Sequence, residues 1–155
     1  MKINFKRLIL FFAVTFAVGG FAALLTSNSM ETYENAVKPM LAPPPIVFPI
    51  VWSILYALMA IGAYMVSMSG CEDKTNAITA YFVQLALNFM WPILFFNLKA
   101  FLVSFVWLVI LWFAIFDMIK KFRTCSKTAA YLQIPYLIWV TFAGYLNLMI
   151  YILNR

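Results

Sequence analysis

The stretch AFLVSFVWLVILWFAIFDMI, residues 100–119, contains a single formal charge, Asp117, close to its end. As a helix it covers about 30 Å, the thickness of a bilayer's hydrocarbon core. Soluble core helices rarely run so far without charge. Four more runs of the same character surround it: Leu8–Leu25, Ile46–Met68, Ala77–Phe96 and Ala129–Leu153. A segment in lipid must satisfy its own backbone hydrogen bonds, and the alternation of a membrane β-barrel is missing, so helices are expected. The sequence predicts an all-α integral membrane protein: five transmembrane helices in one domain spanning residues 1–155.

Composition agrees. The 155 residues are 66% hydrophobic and 10% charged, with a mean hydropathy of +0.95, where soluble domains carry about a quarter charged residues. That leaves too little polar surface for a water-soluble globule, which excludes a soluble enzyme, and the same arithmetic excludes a disordered chain. Histidine is absent, which removes His-containing triads, HExxH metalloproteases and His-ligated haem or zinc. With five acids and two Cys, no metal site and no obligatory cofactor are expected.

Charge orients the spans. The N-terminus carries Lys2, Lys6 and Arg7, the second connection Lys74, and the fourth Lys120, Lys121, Arg123 and Lys127. These eight fall on one side, against Lys38, Lys99 and Arg155 on the other. The positive-inside rule then puts the N-terminus in the cytoplasm. The net charge of +6 reads as a topology signal rather than nucleic-acid binding. A cleaved signal peptide is the competing reading of the first run, but its length and the four runs that follow weigh against it. Cys71 and Cys125 both lie on the cytoplasmic side, so no disulfide is expected. Asp117, followed by Lys120 and Lys121, reads as a solvated helix-end ion pair.

The first connection, residues 26–45, is long for a compact bundle and reads as a lid over the outer face. Pro39, Pro43, Pro44 and Pro45 stiffen its second half. Beneath it, helical spacing gathers aromatic and amide side chains. Phe48, Trp52 and Tyr56 share one stripe, Tyr81, Gln84, Asn88, Trp91 and Phe95 a second, and Tyr136, Trp139, Ala143 and Asn147 a third. An amide facing lipid would be costly, so Gln84, Asn88 and Asn147 should point inward. Two readings of these residues stand. Amides staple membrane helices together, and aromatics form interfacial belts. Alternatively Trp52, Asn88, Trp91 and Trp139 wall a pocket for a flat, apolar, polycyclic ligand. Pro92 and Pro135 read as helix interruptions that shape this region. Gly19 and Ala23, like Ala13 and Ala17, permit close helix approach. The aromatics of the fourth run are assigned mainly to lipid.

In Lys38-Pro39-x3-Pro43-Pro44-x3-Phe48-x3-Trp52-x2-Leu55-Tyr56 the chain resembles the TspO/MBR family, the tryptophan-rich sensory proteins and translocator (peripheral benzodiazepine receptor) proteins. Gln84-Leu85-x2-Asn88-x2-Trp91 and Pro135-Tyr136-Leu137-x-Trp139-x2-Phe142-Ala143-x2-Leu146-Asn147 extend the resemblance over nearly the whole sequence. It implies a five-helix bundle around a ligand cavity, with Pro43, Phe48, Trp52, Tyr56, Asn88, Trp91, Trp139, Ala143 and Leu146 as binding residues. The ligands it implies are porphyrins such as protoporphyrin IX or another tetrapyrrole, sterols, and synthetic isoquinoline carboxamides and benzodiazepines. It also implies a homodimer and, for bacterial members, light-dependent oxidative breakdown of protoporphyrin with Trp52 and Trp139 as the catalytic positions. The lid departs from the family pattern: Thr32-Tyr33 replaces Trp-Tyr, and Leu41 replaces a Trp.

Three functions follow in order of expectation. The first is a sensor-like receptor in the bacterial cytoplasmic membrane, surrounded by lipid, in which Lys38 at the cavity mouth pairs with a propionate. Photooxidation comes second, because no nucleophile–base pair is visible. Transport of porphyrin or sterol is third, because five spans cannot divide into the equal inverted repeats common among transporters.

Overall fold

The computed structural model describes residues 3–155; Lys2, one of the counted charges, lies outside them. Five helices long and apolar enough to cross a membrane account for most of the chain. In chain order the helices are α1 (Phe5–Thr26), α2 (Glu31–Asn35), α3 (Val47–Met68), α4 (Lys74–Pro92), α5 (Phe101–Cys125), α6 (Lys127–Tyr131) and α7 (Ile134–Leu153). The short helices α2 and α6 belong to connections. Each expected run coincides with one of the long helices α1, α3, α4, α5 and α7, with ends shifted by up to six residues.

Local chemistry sets those ends. The Asn4 side chain accepts a hydrogen bond from the Arg7 amide at 3.1 Å, capping α1. Ser126 caps α6 in the same way, through the Ala129 amide. Pro135 lies in the first turn of α7, where its missing N–H costs nothing. It starts that helix and does not interrupt it, contrary to the sequence reading. Pro92 ends α4, and the chain continues as a π-helical turn over Ile93–Asn97. Lys99 closes that turn at φ 51°, and the Ala100 amide bonds the Leu94 carbonyl at 3.0 Å.

Helix α1 packs chiefly on α3, α4 on α5, and α5 on α7. Lipid is as apolar as Leu, so the hydrophobic effect does little to hold spans against one another, and close packing and hydrogen bonds carry the association. The interior supplies both. Met59, Ala63, Ile115, Met118 and Ile150 are fully enclosed. The Thr15 hydroxyl on α1 hydrogen-bonds the Tyr81 hydroxyl on α4. At Gly19 a Cβ would collide with the Tyr56 ring, so this glycine lets α3 lie against α1. Ile9, Phe21, Val103, Phe113 and Ile138 face outward, where lipid is their natural solvent.

The fourth run is less lipid-facing than its composition suggests. Trp107 donates its indole N–H to the Leu87 carbonyl and Trp112 to Thr141 Oγ1, both at 2.8 Å, because α5 lies between α4 and α7 and must satisfy its indoles there. The expected helix-end ion pair is present, with Lys121 Nζ 2.6 Å from Asp117. Lys120 takes no part in it and sits over the Phe116 ring.

The cysteines differ from expectation. Cys71, in the α3–α4 turn, and Cys125, at the end of α5, form a disulfide with Cα atoms 5.1 Å apart. Compartment arguments from charge say nothing about distance, and the fold brings these two connections together at one end. The α1 start is there too: Arg7 donates to the Ser67 carbonyl and the Asn4 amide to the Tyr64 hydroxyl.

Candidate functional site

The inward faces of α3, α4 and α7 meet below α2 and divide into two zones. Nearer the basic end is a chain of polar groups. Tyr56 donates to Asn88 Oδ1 at 3.0 Å, and Asn88 Nδ2 donates to the Tyr136 hydroxyl at 2.7 Å. Tyr136 in turn donates to Gln84 Oε1 at 2.8 Å. Four side chains from three helices thus satisfy one another, as burial of amides demands. Trp52 packs on this chain, with ring centroids 5.5 Å from Tyr56 and 6.1 Å from Tyr136.

Nearer the lid the surfaces are aromatic and aliphatic. Tyr33, Phe48, Trp91, Phe95, Phe96, Ala143, Leu146, Asn147 and Ile150 enclose a cavity of about 10 Å³, no larger than one water. Phe48 stands between Tyr33 and Trp139, edge-on to each at 5.1 and 5.9 Å. Trp91 donates its N–H to Asn147 Oδ1 at 3.0 Å, and Asn147 also joins Ser104 and the Phe101 carbonyl. The indole nitrogen of Trp139 is buried with no hydrogen-bond partner among the described residues.

The lid is ordered and docked. Tyr33, on α2, is 2% exposed and donates its hydroxyl to the Pro43 carbonyl at 2.7 Å. Burial pushes this phenol above its usual range, so it stays protonated and keeps donating. Thr32 donates to the Phe96 carbonyl at 2.9 Å, across to the π turn. Asn154, one residue beyond α7, bonds both backbone groups of Val37 at 2.9 Å. Lys38, expected at the cavity mouth, turns back onto the lid. Its ammonium donates to the Tyr33 and Glu34 carbonyls at 2.9 and 2.8 Å, because an α2 of five residues leaves those carbonyls unpaired and in reach.

The nine expected binding residues therefore fall in one region. Phe48, Trp91, Ala143 and Leu146 line the small cavity, Trp139 adjoins it through Phe48, Tyr56 and Asn88 belong to the polar chain, Trp52 leans on that chain, and Pro43 holds the lid. Gln84, Asn88 and Asn147 point inward as expected. All three amides serve as helix staples, Asn147 joining α7 to α4 and α5. Sequence reasoning did not assign Tyr33, Phe96 or Ile150 to the binding site. Tyr33 carried a usable signal, an aromatic in a polar connection ahead of four prolines.

The TspO/MBR family pattern matches residues 11–153. The chain belongs to the TspO/MBR family. It is 35% identical over 152 residues to the tryptophan-rich protein TspO of Archaeoglobus fulgidus, covering 97% of this chain and 99% of that one. It is 33% identical to a tryptophan-rich sensory protein of Cereibacter sphaeroides, covering 95% and 90%. The translocator protein of Bos taurus is 32% identical, over 84% of this chain and 80% of its own. With its five apolar helices, this TspO/MBR member is an integral membrane protein related to sensory and translocator proteins.

Proposed function

We propose that the protein is a membrane receptor that binds porphyrins, protoporphyrin IX above all, and related apolar polycyclic ligands between the lid and the polar chain. The observation that carries this reading is Trp139. Its indole N–H is buried without an acceptor among the described residues, in a wall of flat rings formed with Phe48 and Phe142. An unpaired buried donor is costly, and a ligand acceptor such as a carboxylate or ring nitrogen would relieve it. Stacking on Phe48, Trp52 and Trp91 supplies the remaining recognition, and no axial His is needed. The cavity of about 10 Å³ is far below the few hundred Å³ of ordinary ligand sites, so binding requires the lid and its aromatics to move. The membrane is the bacterial cytoplasmic membrane and the working form a homodimer; crosslinking in native membranes tests the second point.

Titration of the purified protein with protoporphyrin IX, followed by absorbance and tryptophan quenching, tests the site. Trp52→Ala and Asn88→Ala should each weaken binding about tenfold, the loss of one stacking or hydrogen-bonding partner worth about 1.4 kcal/mol. Equal affinity in all three proteins sinks the assignment. A second reading, photooxidation of the bound porphyrin, draws on the placement of Trp52 against the Tyr56 and Tyr136 rings. In it light excites the porphyrin, molecular oxygen is the oxidant that takes the electrons the porphyrin loses, and Trp52 and Trp139 relay electrons or protons between them. Bleaching under light and oxygen that proceeds equally with Trp52→Phe/Trp139→Phe removes it. Transport of porphyrin or sterol is the third reading, and absence of flux in proteoliposomes removes that.

A further inference from the structure

Two half-buried cysteines from different connections meet at the basic end of the bundle. Neither touches the cavity, and the receptor reading does not use them. By the charge count this end faces the cytoplasm, where the thiol pool is reducing and a permanent structural disulfide is not maintained. A bonded pair that reductants can reach, in such a compartment, suits exchange better than bracing.

We propose that Cys71 and Cys125 form a reversible thiol–disulfide site, closed by small disulfides of the glutathione class and opened by the matching thiol, which fastens the α3–α4 turn to the end of α5.

The surroundings assign an order to the two sulfurs. Cys125 has Arg123 and Lys127 two residues to either side, whereas Cys71 is followed by Glu72, Asp73 and Lys74. The cations flanking Cys125 in sequence mark it as the first attacking sulfur, and the thiolate is the attacking species. In closing, the Cys125 thiolate attacks one sulfur of the small disulfide, forming a mixed disulfide and expelling one thiolate. The Cys71 thiolate then attacks Cys125 Sγ, closing the protein bond and expelling the second. Two protein thiols are oxidised, and one small disulfide is reduced to two thiols. Opening runs the same steps in reverse.

The bond has a mechanical consequence. Helix α3 rests mainly on α1, while α4, α5 and α7 pack in series. The α3–α4 turn joins these two groups, and the disulfide anchors it to the second.

The full-length protein in detergent would be equilibrated with glutathione mixtures of varied oxidised-to-reduced ratio, quenched in acid, and labelled with a maleimide polymer for gel shift. The expected result is one intramolecular bond whose fraction passes from nearly none to nearly complete within that range. Full labelling at every ratio, no labelling even in fully reduced glutathione, or bonds only between chains would each overturn the proposal. Two variants test the order: Cys71→Ser should take up glutathione roughly tenfold faster than Cys125→Ser, and equal rates overturn it. Hydrogen exchange over residues 69–74 should rise roughly fivefold on reduction of the wild-type protein. Unchanged exchange removes the fastening role.

Discussion

The two ends of the bundle close by different means. Toward the basic end the contacts between helices are covalent or polar: the Cys71–Cys125 bond, the Arg7–Ser67 contact, and above them the Tyr56–Asn88–Tyr136–Gln84 chain. Toward the other end the interior is a small gap between aromatic and aliphatic surfaces, shut by a few hydrogen bonds from the lid. Separating the first zone would strand buried amides and phenols. Lifting the lid from the second breaks the Thr32–Phe96 and Asn154–Val37 contacts and exposes apolar rings, while the buried Asn147 bonds to Trp91, Ser104 and Phe101 stay made. One side of the same core is built to stay, and the other can part.

The strongest challenge to that contrast is at Gly62. A Cβ there collides with Gln133 Nε2 and lies 3.3 Å from the Ala129 carbonyl, and the Gln133 bond to the Leu58 carbonyl at 3.0 Å would break. Gly62→Val should cost about 3 kcal/mol, the upper range for overpacking, seen as a lower thermal midpoint in detergent. A midpoint within a degree of wild type would mean the basic end is looser than described. Next comes Asn88→Ala, which leaves the Tyr56 hydroxyl without its acceptor and should cost about 1 to 2 kcal/mol. Asn154→Ala should cost under about 1 kcal/mol, while raising hydrogen exchange at Val37 well above wild type. If it destabilises the whole protein as much as Asn88→Ala, the two ends are not distinct.

The smallest effect is expected in alkali. The Tyr33 phenol titrates above its ordinary value of 10 in the folded protein. Its contribution is therefore whole below about pH 10, and lost as pH rises through the folded-state value. Tyr33→Phe should be slightly less stable at neutral pH and should lack that one group's alkaline decline.

Much of this was legible in the chain. Span number and approximate position followed from hydropathy because lipid imposes one requirement, an apolar exterior, on every residue of a span. Gln84, Asn88 and Asn147 declared their inward orientation because an amide has so few tolerable places in a membrane. Pairings between separate elements were not legible. Lys38 bonding back to α2, and Cys71 reaching Cys125, depend on which connections meet in space, and side-chain periodicity carries no such information. The closed cavity was hidden for a related reason: the Phe48, Trp91 and Trp139 stripes predict a shared region but not whether its rings part or touch. Pro92 was read as a break, while its outcome, a π turn feeding the Thr32–Phe96 contact, depends on the lid above it.

Asn154 has a practical side. The residue that grips Val37 through both backbone groups is adjacent to Arg155. An affinity tag or fluorescent fusion attached there would pull on the grip whenever it tumbled or was immobilised. Affinities measured on such fusions should therefore differ from those of protein tagged ahead of α1, and the discrepancy would itself report how tightly the entrance is held.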